Sequence, residues 1–202
     1  MREDTGFLDR PDGERLAWRK IEGAGPTVVW LGGFKSDMAG SKAQTLADWA
    51  MANGRAYVRF DYLGHGESSG DFVKGTISRW REDALAVIDQ LTAGPLVLVG
   101  SSMGGWLACL VAAVRAERIA GMVLVAPAAD FTEKLMVPEM TAADRLAMDR
   151  DGVWMRPSDY GDPYPIAREL IEDGARWSIL PGPVPVEAPV RILQGGVDPD
   201  VP

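Results

Sequence analysis

Apolar and polar positions along this chain switch between a period of two and a period near 3.6, and the switches outline strands and helices in alternation. Phe7 to Arg10 and Arg15 to Ile21 flank a Pro-Asp-Gly turn and read as a hairpin. Thr27 to Leu31 (TVVWL) is a continuous apolar run ending in Gly32-Gly33-Phe34, the pattern of a buried strand. Ser41 to Ala52 reads as a helix, with Ser41 as its cap and Asn53-Gly54 as its stop. Ala56 to Phe60 predicts another strand, broken by the loop DYLGHGESSG. Ile77, Trp80, Ala84, Val87, Ile88 and Leu91 recur at helical spacing, so Ile77 to Leu91 is expected to bury one helix face. Leu96 to Val99, Met122 to Val125 and Val190 to Leu193 supply further short β-branched runs, and a helical pattern through Leu107, Leu110, Val111 and Val114 follows the first.

From Asp130 to Pro189 the pattern loosens. No strand is expected there, prolines are frequent, and helical pieces are predicted only around Thr141 to Met148 and Pro165 to Glu172. Strands alternating with helices predict an α/β fold, a mostly parallel sheet covered on both faces. The expected division is a core over 1–129, a helical cap inserted over 130–186, and a core strand with its following loop over 187–202.

Composition narrows the function. A chain of 202 residues with 47% hydrophobic and 25% charged positions can bury a full core. Its net charge of −8 disfavours nucleic acid or an anionic membrane as partner. MREDTGFLDR lacks the apolar centre of a signal peptide, and no run approaches the roughly 20 apolar residues of a membrane span. A cytoplasmic location is therefore expected. The single cysteine, Cys109, falls on an apolar helix face and reads as a buried thiol, and Arg79, Arg81, Glu82 and Asp83 read as a solvated helix face. No metal-ligand spacing and no dinucleotide-binding glycine motif appears, so no cofactor is expected.

The chemistry centres on Gly100-Ser101-Ser102-Met103-Gly104. This is G-x-S-x-G set between an apolar strand and a helix, the context of a nucleophile elbow. Such a turn holds the serine in a strained conformation, with glycines on either side so that strand and helix can approach. Ser102 is thus the candidate nucleophile, and Ser101, at the wrong spacing, is expected to be turn structure. In elbow enzymes an Asp or Glu follows the serine in chain order. Asp198, just past a buried strand, is favoured over Asp200 two residues on. Backbone N–H groups of Met103 and of Phe34, behind its glycine pair, are the expected oxyanion donors.

These residues resemble the α/β-hydrolase superfamily over the whole chain. More narrowly, WLGGFKSDMAGSKA, RFDYLGHGESSG, VGSSMGGWL, GVWMRPSDY and PVPVEAPVRILQGGVDPDVP are similar to the family of the mitochondrial acyl-protein thioesterase that also hydrolyses acyl glucuronides, with its bacterial relatives. The resemblance implies Ser102 as nucleophile, Asp198 as acid partner, Phe34 and Met103 as oxyanion donors, and a cap that shapes an acyl pocket. It also implies a catalytic histidine beyond the last strand, whereas these 202 residues contain only His65, ahead of the nucleophile and expected to be structural. The family's final strand and helices are accordingly expected to lie outside this sequence. Trp106 is expected in the core, Trp154 and Tyr160 either at the acyl pocket or between cap and body, and Met136, Met140 and Met148 either in the pocket or in the cap core. The resulting expectation is a serine hydrolase acting on small-molecule or acyl-protein esters and thioesters, with a non-catalytic acyl-binding or interaction protein as the alternative.

Overall fold

The computed structural model describes residues 2–158 and 161–201. Strands β1 (Glu3–Asp9), β2 (Arg15–Ile21), β3 (Ala24–Leu31), β4 (Arg55–Phe60), β5 (Leu96–Ser101) and β6 (Ile119–Val125) are followed by a separate hairpin, β7 (Val153–Ser158) and β8 (Gly161–Ala167), and then by β9 (Val190–Leu193). The central sheet runs β1-β2-β4-β3-β5-β6-β9. Pairing is antiparallel from β1 through β2 to β4 and parallel from β4 onward to β9. Ser101 is the last residue of β5, opposite Val125, rather than part of the turn.

Alternate side chains of these strands point to opposite faces. Val28, Trp30, Tyr57 and Val99 meet the small stripe Ala43, Ala47 and Ala50 of α1 (Ser41–Asn53). Val29, Leu31, Val58, Leu96 and Leu98 face α2 (Ile77–Leu91) and α3 (Met103–Ala112). Ser41 is not the cap of α1: Gly40 takes that position without a side-chain hydrogen bond, and Ser41 instead accepts at its carbonyl from Thr45 Oγ1. Gly54 closes the helix in the left-handed conformation, as Asn53-Gly54 predicts.

The predicted solvated face of α2 is corrected. The Asp83 side chain is fully buried, accepting from Leu63 N–H at 2.9 Å and from Arg79 Nε at 3.0 Å, with Arg10 at 3.4 Å. Arg79 also pairs with Asp12, and the Arg81 guanidinium lies over the Trp177 ring at 4.6 Å. A carboxylate this deep persists because two guanidiniums and a backbone donor replace its water. Cys109 is only half-buried, and burial raises its thiol to about 11, so it is inert as a nucleophile.

The cap is mixed rather than helical. A π-helical turn, Thr132–Met136, runs into α4 (Val137–Glu139); α5 (Ala142–Asp151), opened by a Thr141–Asp144 capping box, leads to the β7–β8 hairpin and α6 (Arg168–Arg176). Pro157, Pro163 and Pro165 conceal this hairpin in the sequence, since proline argues against a ladder. A two-stranded sheet has a free edge on each strand, where a missing N–H costs nothing. Pro165 stays in β8 opposite Met155, so the helix predicted from Pro165 begins only at Arg168.

One carboxylate joins the two ends of this excursion. Asp130, fully buried and at φ 56°, accepts from Ser178 Oγ (2.6 Å), Ile179 N–H (2.9 Å) and Leu180 N–H (3.0 Å). Asp173 of α6 then fastens the cap to the body by accepting from Ser78 N–H (2.7 Å) and Oγ (2.6 Å).

Candidate active site

Ser102 links β5 to α3 at φ 53° and ψ −121°, a conformation that side-chain-bearing residues rarely adopt. Backbone bonds over-determine it. Ser102 N–H donates to Val125 O (3.0 Å), and its carbonyl accepts from Gly105 N–H (2.9 Å) and Ala128 N–H (3.1 Å). The flanking glycines are required by space: a Cβ on Gly104 would stand 1.9 Å from Leu31 O, and one on Gly100 would stand 2.3 Å from Gly104 O. Ser102 opens onto a cleft of ≈ 700 Å³ at the carboxyl edge of the sheet, also lined by Lys42, Ala126, Gln194, Asp198 and Asp200.

Asp198 follows β9 and is half-buried, and its Oδ1 accepts from the N–H groups of Asp200 and Val201, each at 3.0 Å. This turn fixes the carboxyl plane within the cleft, whereas Asp200 lies exposed beside it. Ala126, at φ 44°, donates its N–H to Leu193 O (2.8 Å) and so ties the cleft wall to β9.

The two segments expected to supply oxyanion donors converge on the same turn. Met103 is the first residue of α3, where a helix leaves its amides without intrahelical acceptors. On the other side, a Cβ on Gly33 would lie 3.4 Å from both Ser101 O and Ser102 Cβ, so the Gly32-Gly33-Phe34 loop passes directly against the elbow.

Lys35, next in that loop, is held at φ 59° by the histidine expected to be structural. Lys35 N–H donates to His65 Nε2 (3.2 Å), and His65 Nδ1 donates to Leu63 O (3.1 Å), since the carbonyl can only accept. Both ring nitrogens are committed, and His65 is a buried neutral prop for the loop rather than a base facing Ser102. Burial, then the nearby Lys35 charge, lowers it to about 4 against the hydrogen bond to Leu63. Asp61 braces the neighbouring turns, accepting from Met38 N–H (2.7 Å) and Glu67 N–H (2.8 Å), with burial raising it to about 6. The sequence signal for Asp61 was a carboxylate directly after an apolar strand; nothing in it marked Lys35 or Ala126 as left-handed.

A histidine with a depressed folded pKa stabilises the fold fully above its unfolded value of 6.5, and that contribution is lost as pH falls toward 4. Asp61, raised, changes in the opposite sense between about 6 and 3.8, so the wild-type profile is a sum of the two. A difference measurement separates them. His65→Gln, which keeps an acceptor for Lys35 N–H, is expected to be less stable than wild type by about 1–2 kcal/mol at pH 7, with the gap closing by pH 4.5. Urea denaturation at both pH values checks this, and a gap independent of pH contradicts it.

The remaining predicted residues separate as follows. Trp106 is buried at the cap–body seam, its Nε1 donating to Trp177 O (3.2 Å) and its ring meeting Phe131 edge-on at 5.7 Å. Trp154, Met136, Met140 and Met148 are buried in the cap and none lines the cleft. Tyr160 lies outside the described residues. Among the described residues no group of three His, Cys, Asp or Glu side chains is placed to hold a metal ion, and no helix is long and apolar enough to cross a membrane.

A mostly parallel sheet carrying a strained serine between strand and helix, with an acid loop at the carboxyl edge of a later strand, defines an α/β-hydrolase. The chain belongs to the hydrolase family described as serine aminopeptidase, S33, whose model matches residues 26–167. It is similar to the bovine mitochondrial palmitoyl-protein thioesterase ABHD10, 38% identical over 97% of this chain and 64% of the relative. It thus spans somewhat under two thirds of that protein. Among solved structures, a putative hydrolase from Agrobacterium vitis superposes with a TM-score of 0.95 at 40% identity, covering 100% of this chain and 82% of the other. Mouse alpha/beta hydrolase domain-containing protein 10 superposes at 0.87 and 32% identity, covering 98% and 80%. The cytoplasmic expectation is corrected by the ABHD10 thioesterases, which are named as mitochondrial proteins.

Proposed function

We propose that this protein is a serine hydrolase that cleaves acyl thioesters or carboxylic esters through an acyl-enzyme on Ser102. The observation that carries the reading is Ser102 at φ 53° and ψ −121°, facing a cleft shared with Asp198. In the first half-reaction Ser102 Oγ attacks the carbonyl carbon while a base takes the hydroxyl proton. The tetrahedral oxyanion is received by the N–H groups of Phe34 and Met103, and the base returns the proton to the departing thiolate or alkoxide. Water attacks the acyl-enzyme in the second half-reaction, and the acid and free serine are released. The base is proposed to be a histidine outside these 202 residues, oriented by Asp198, because both nitrogens of His65 are already bonded. A long-chain acyl thioester, on a protein or a small carrier, is the proposed substrate class, in keeping with the palmitoyl-protein thioesterases it resembles.

The same commitment of His65 favours a second reading, that of a non-catalytic acyl-binding protein on a hydrolase fold. Rapid-quench mass spectrometry on the full-length protein with a palmitoyl thioester distinguishes the two. An acyl adduct on the peptide containing Ser102 is the expected result. Turnover with no such adduct, or with the adduct elsewhere, overturns the mechanism, and binding without turnover establishes the second reading.

A further inference from the structure

Phe34, whose backbone is the proposed oxyanion donor, sits inside a box of four rings drawn from both body and cap. Phe72 (5.1 Å, 65°) and Trp80 (5.8 Å, 73°) meet it from the body. Phe131 (5.4 Å, 57°) and Tyr164 (5.9 Å, 56°) meet it from the cap. These are the tilted and edge-on geometries that aromatic pairs favour. The next residue repeats the bridge: Lys35 Nζ lies over the Phe72 ring at 4.4 Å and the Tyr164 ring at 5.8 Å. Tyr164 is therefore the cap residue that touches both Phe34 and Lys35.

The cap holds Tyr164 firmly in turn. Across the β7–β8 hairpin it is paired with Arg156, whose guanidinium hydrogen-bonds the phenol and lies 5.9 Å from the ring centre. Arg156 is itself fixed by two bonds to the Glu139 carboxylate, at 2.8 and 3.0 Å. The ring thus has two cations near its centre, Arg156 from the cap at 5.9 Å and Lys35 from the oxyanion loop at 5.8 Å. Behind Lys35, His65 secures the strained peptide from the body side. The Phe34–Lys35 unit has one wall supplied by the body and the other by the cap hairpin.

We propose that Tyr164 is a positioning residue through which the seated cap orients the Phe34 N–H toward the oxyanion. The inference rests on the reading of Phe34 as an oxyanion donor. It makes transition-state stabilisation depend on the cap even for substrates too short to touch it. A ring that serves only as pocket wall affects long acyl chains alone.

The test compares Tyr164→Ala and Tyr164→Phe with wild type, in full-length protein, on an acetyl and a palmitoyl thioester. Loss of one aromatic pair and its cation contact corresponds to roughly a 5- to 70-fold effect. Tyr164→Ala is expected to lower kcat by that factor on both substrates, with KM little changed. Affinity for a trifluoromethyl ketone, whose serine adduct carries the oxyanion, is expected to fall in parallel. Tyr164→Phe keeps the ring and is expected to recover most of the rate. Unchanged kcat in Tyr164→Ala, a loss confined to the palmitoyl substrate or to KM, or a Tyr164→Phe protein as impaired as the alanine variant would each overturn the proposal. Lys35→Met, altered on the body side of the contact, provides the same kcat-selective test if Tyr164→Ala does not fold. Ser102→Ala run in parallel keeps the two readings apart. A dead serine variant beside a fully active Tyr164→Ala refutes only the coupling, and an active serine variant refutes the acyl-enzyme itself.

Discussion

Ser102→Ala is expected to lower thioester and ester turnover of the full-length protein by roughly three to six orders of magnitude while leaving the fold in place. The split follows from which atoms of Ser102 serve which purpose. Its N–H and carbonyl bond to Val125, Gly105 and Ala128, and these bonds remain in the alanine variant. Its hydroxyl opens onto the cleft, so deleting it strands no buried partner. The stability read from urea titration should therefore change by no more than about 0.5 kcal/mol. What remains is the oxyanion pair and substrate binding, which alone account for some residual rate over water. Burst kinetics with a chromogenic ester, beside the urea titration, check both halves. Turnover within about tenfold of wild type would exclude Ser102 as the nucleophile.

Gly104→Ala carries the opposite signature, a loss of fold first and of activity with it. Within a helix alanine is favoured over glycine by up to about 1 kcal/mol. Here the added methyl would stand 1.9 Å from Leu31 O and 2.5 Å from Leu31 C, both backbone atoms of the central strand. Neither can rotate away, so α3 must retreat from the sheet. Overpacking of this kind costs about 1–3 kcal/mol and occasionally more, and with backbone on both sides the upper end is expected to outweigh the propensity gain. Gly182→Ala is the control, since a methyl added there would meet nothing within 4 Å. Thermal denaturation should show a drop of several degrees for the first variant and none for the second. A Gly104→Ala protein as stable as wild type would contradict the close strand–helix approach.

The elements that proved legible are those whose chemistry is local. An apolar run, a glycine-flanked serine and a helical stripe make β5, Ser102 and α3 readable because each signal lies within a few residues of the next. Gly54 stops α1 for the same reason. The β7–β8 hairpin was not legible, because its prolines argue against a ladder unless one already knows that each strand has a free edge. Asp83 looked solvated because its i,i+4 spacing from Arg79 reads as a surface pair, while Arg10 and the Leu63 N–H, which bury it, reach it from distant segments and leave no signature in spacing. Lys35 and Ala126 adopt left-handed backbone only because a distant His65 nitrogen and Leu193 carbonyl hold them there. The location of the relatives was invisible for a different reason: the residues that decide it need not lie in the part of a protein that forms its fold.

The carboxylate of Asp130 has a consequence for how this architecture can change over time. By binding Ser178, Ile179 and Leu180 it brings the two stems of the cap to a common point before the body resumes. With the stems pinned, the entropy of closing the intervening excursion grows only logarithmically, about 0.6 kcal/mol for each doubling of its length. Insertions and deletions between the stems therefore leave the register of β6 against β9 untouched. The cap can diversify in size and sequence from one lineage to another while the elbow beneath it stays the same.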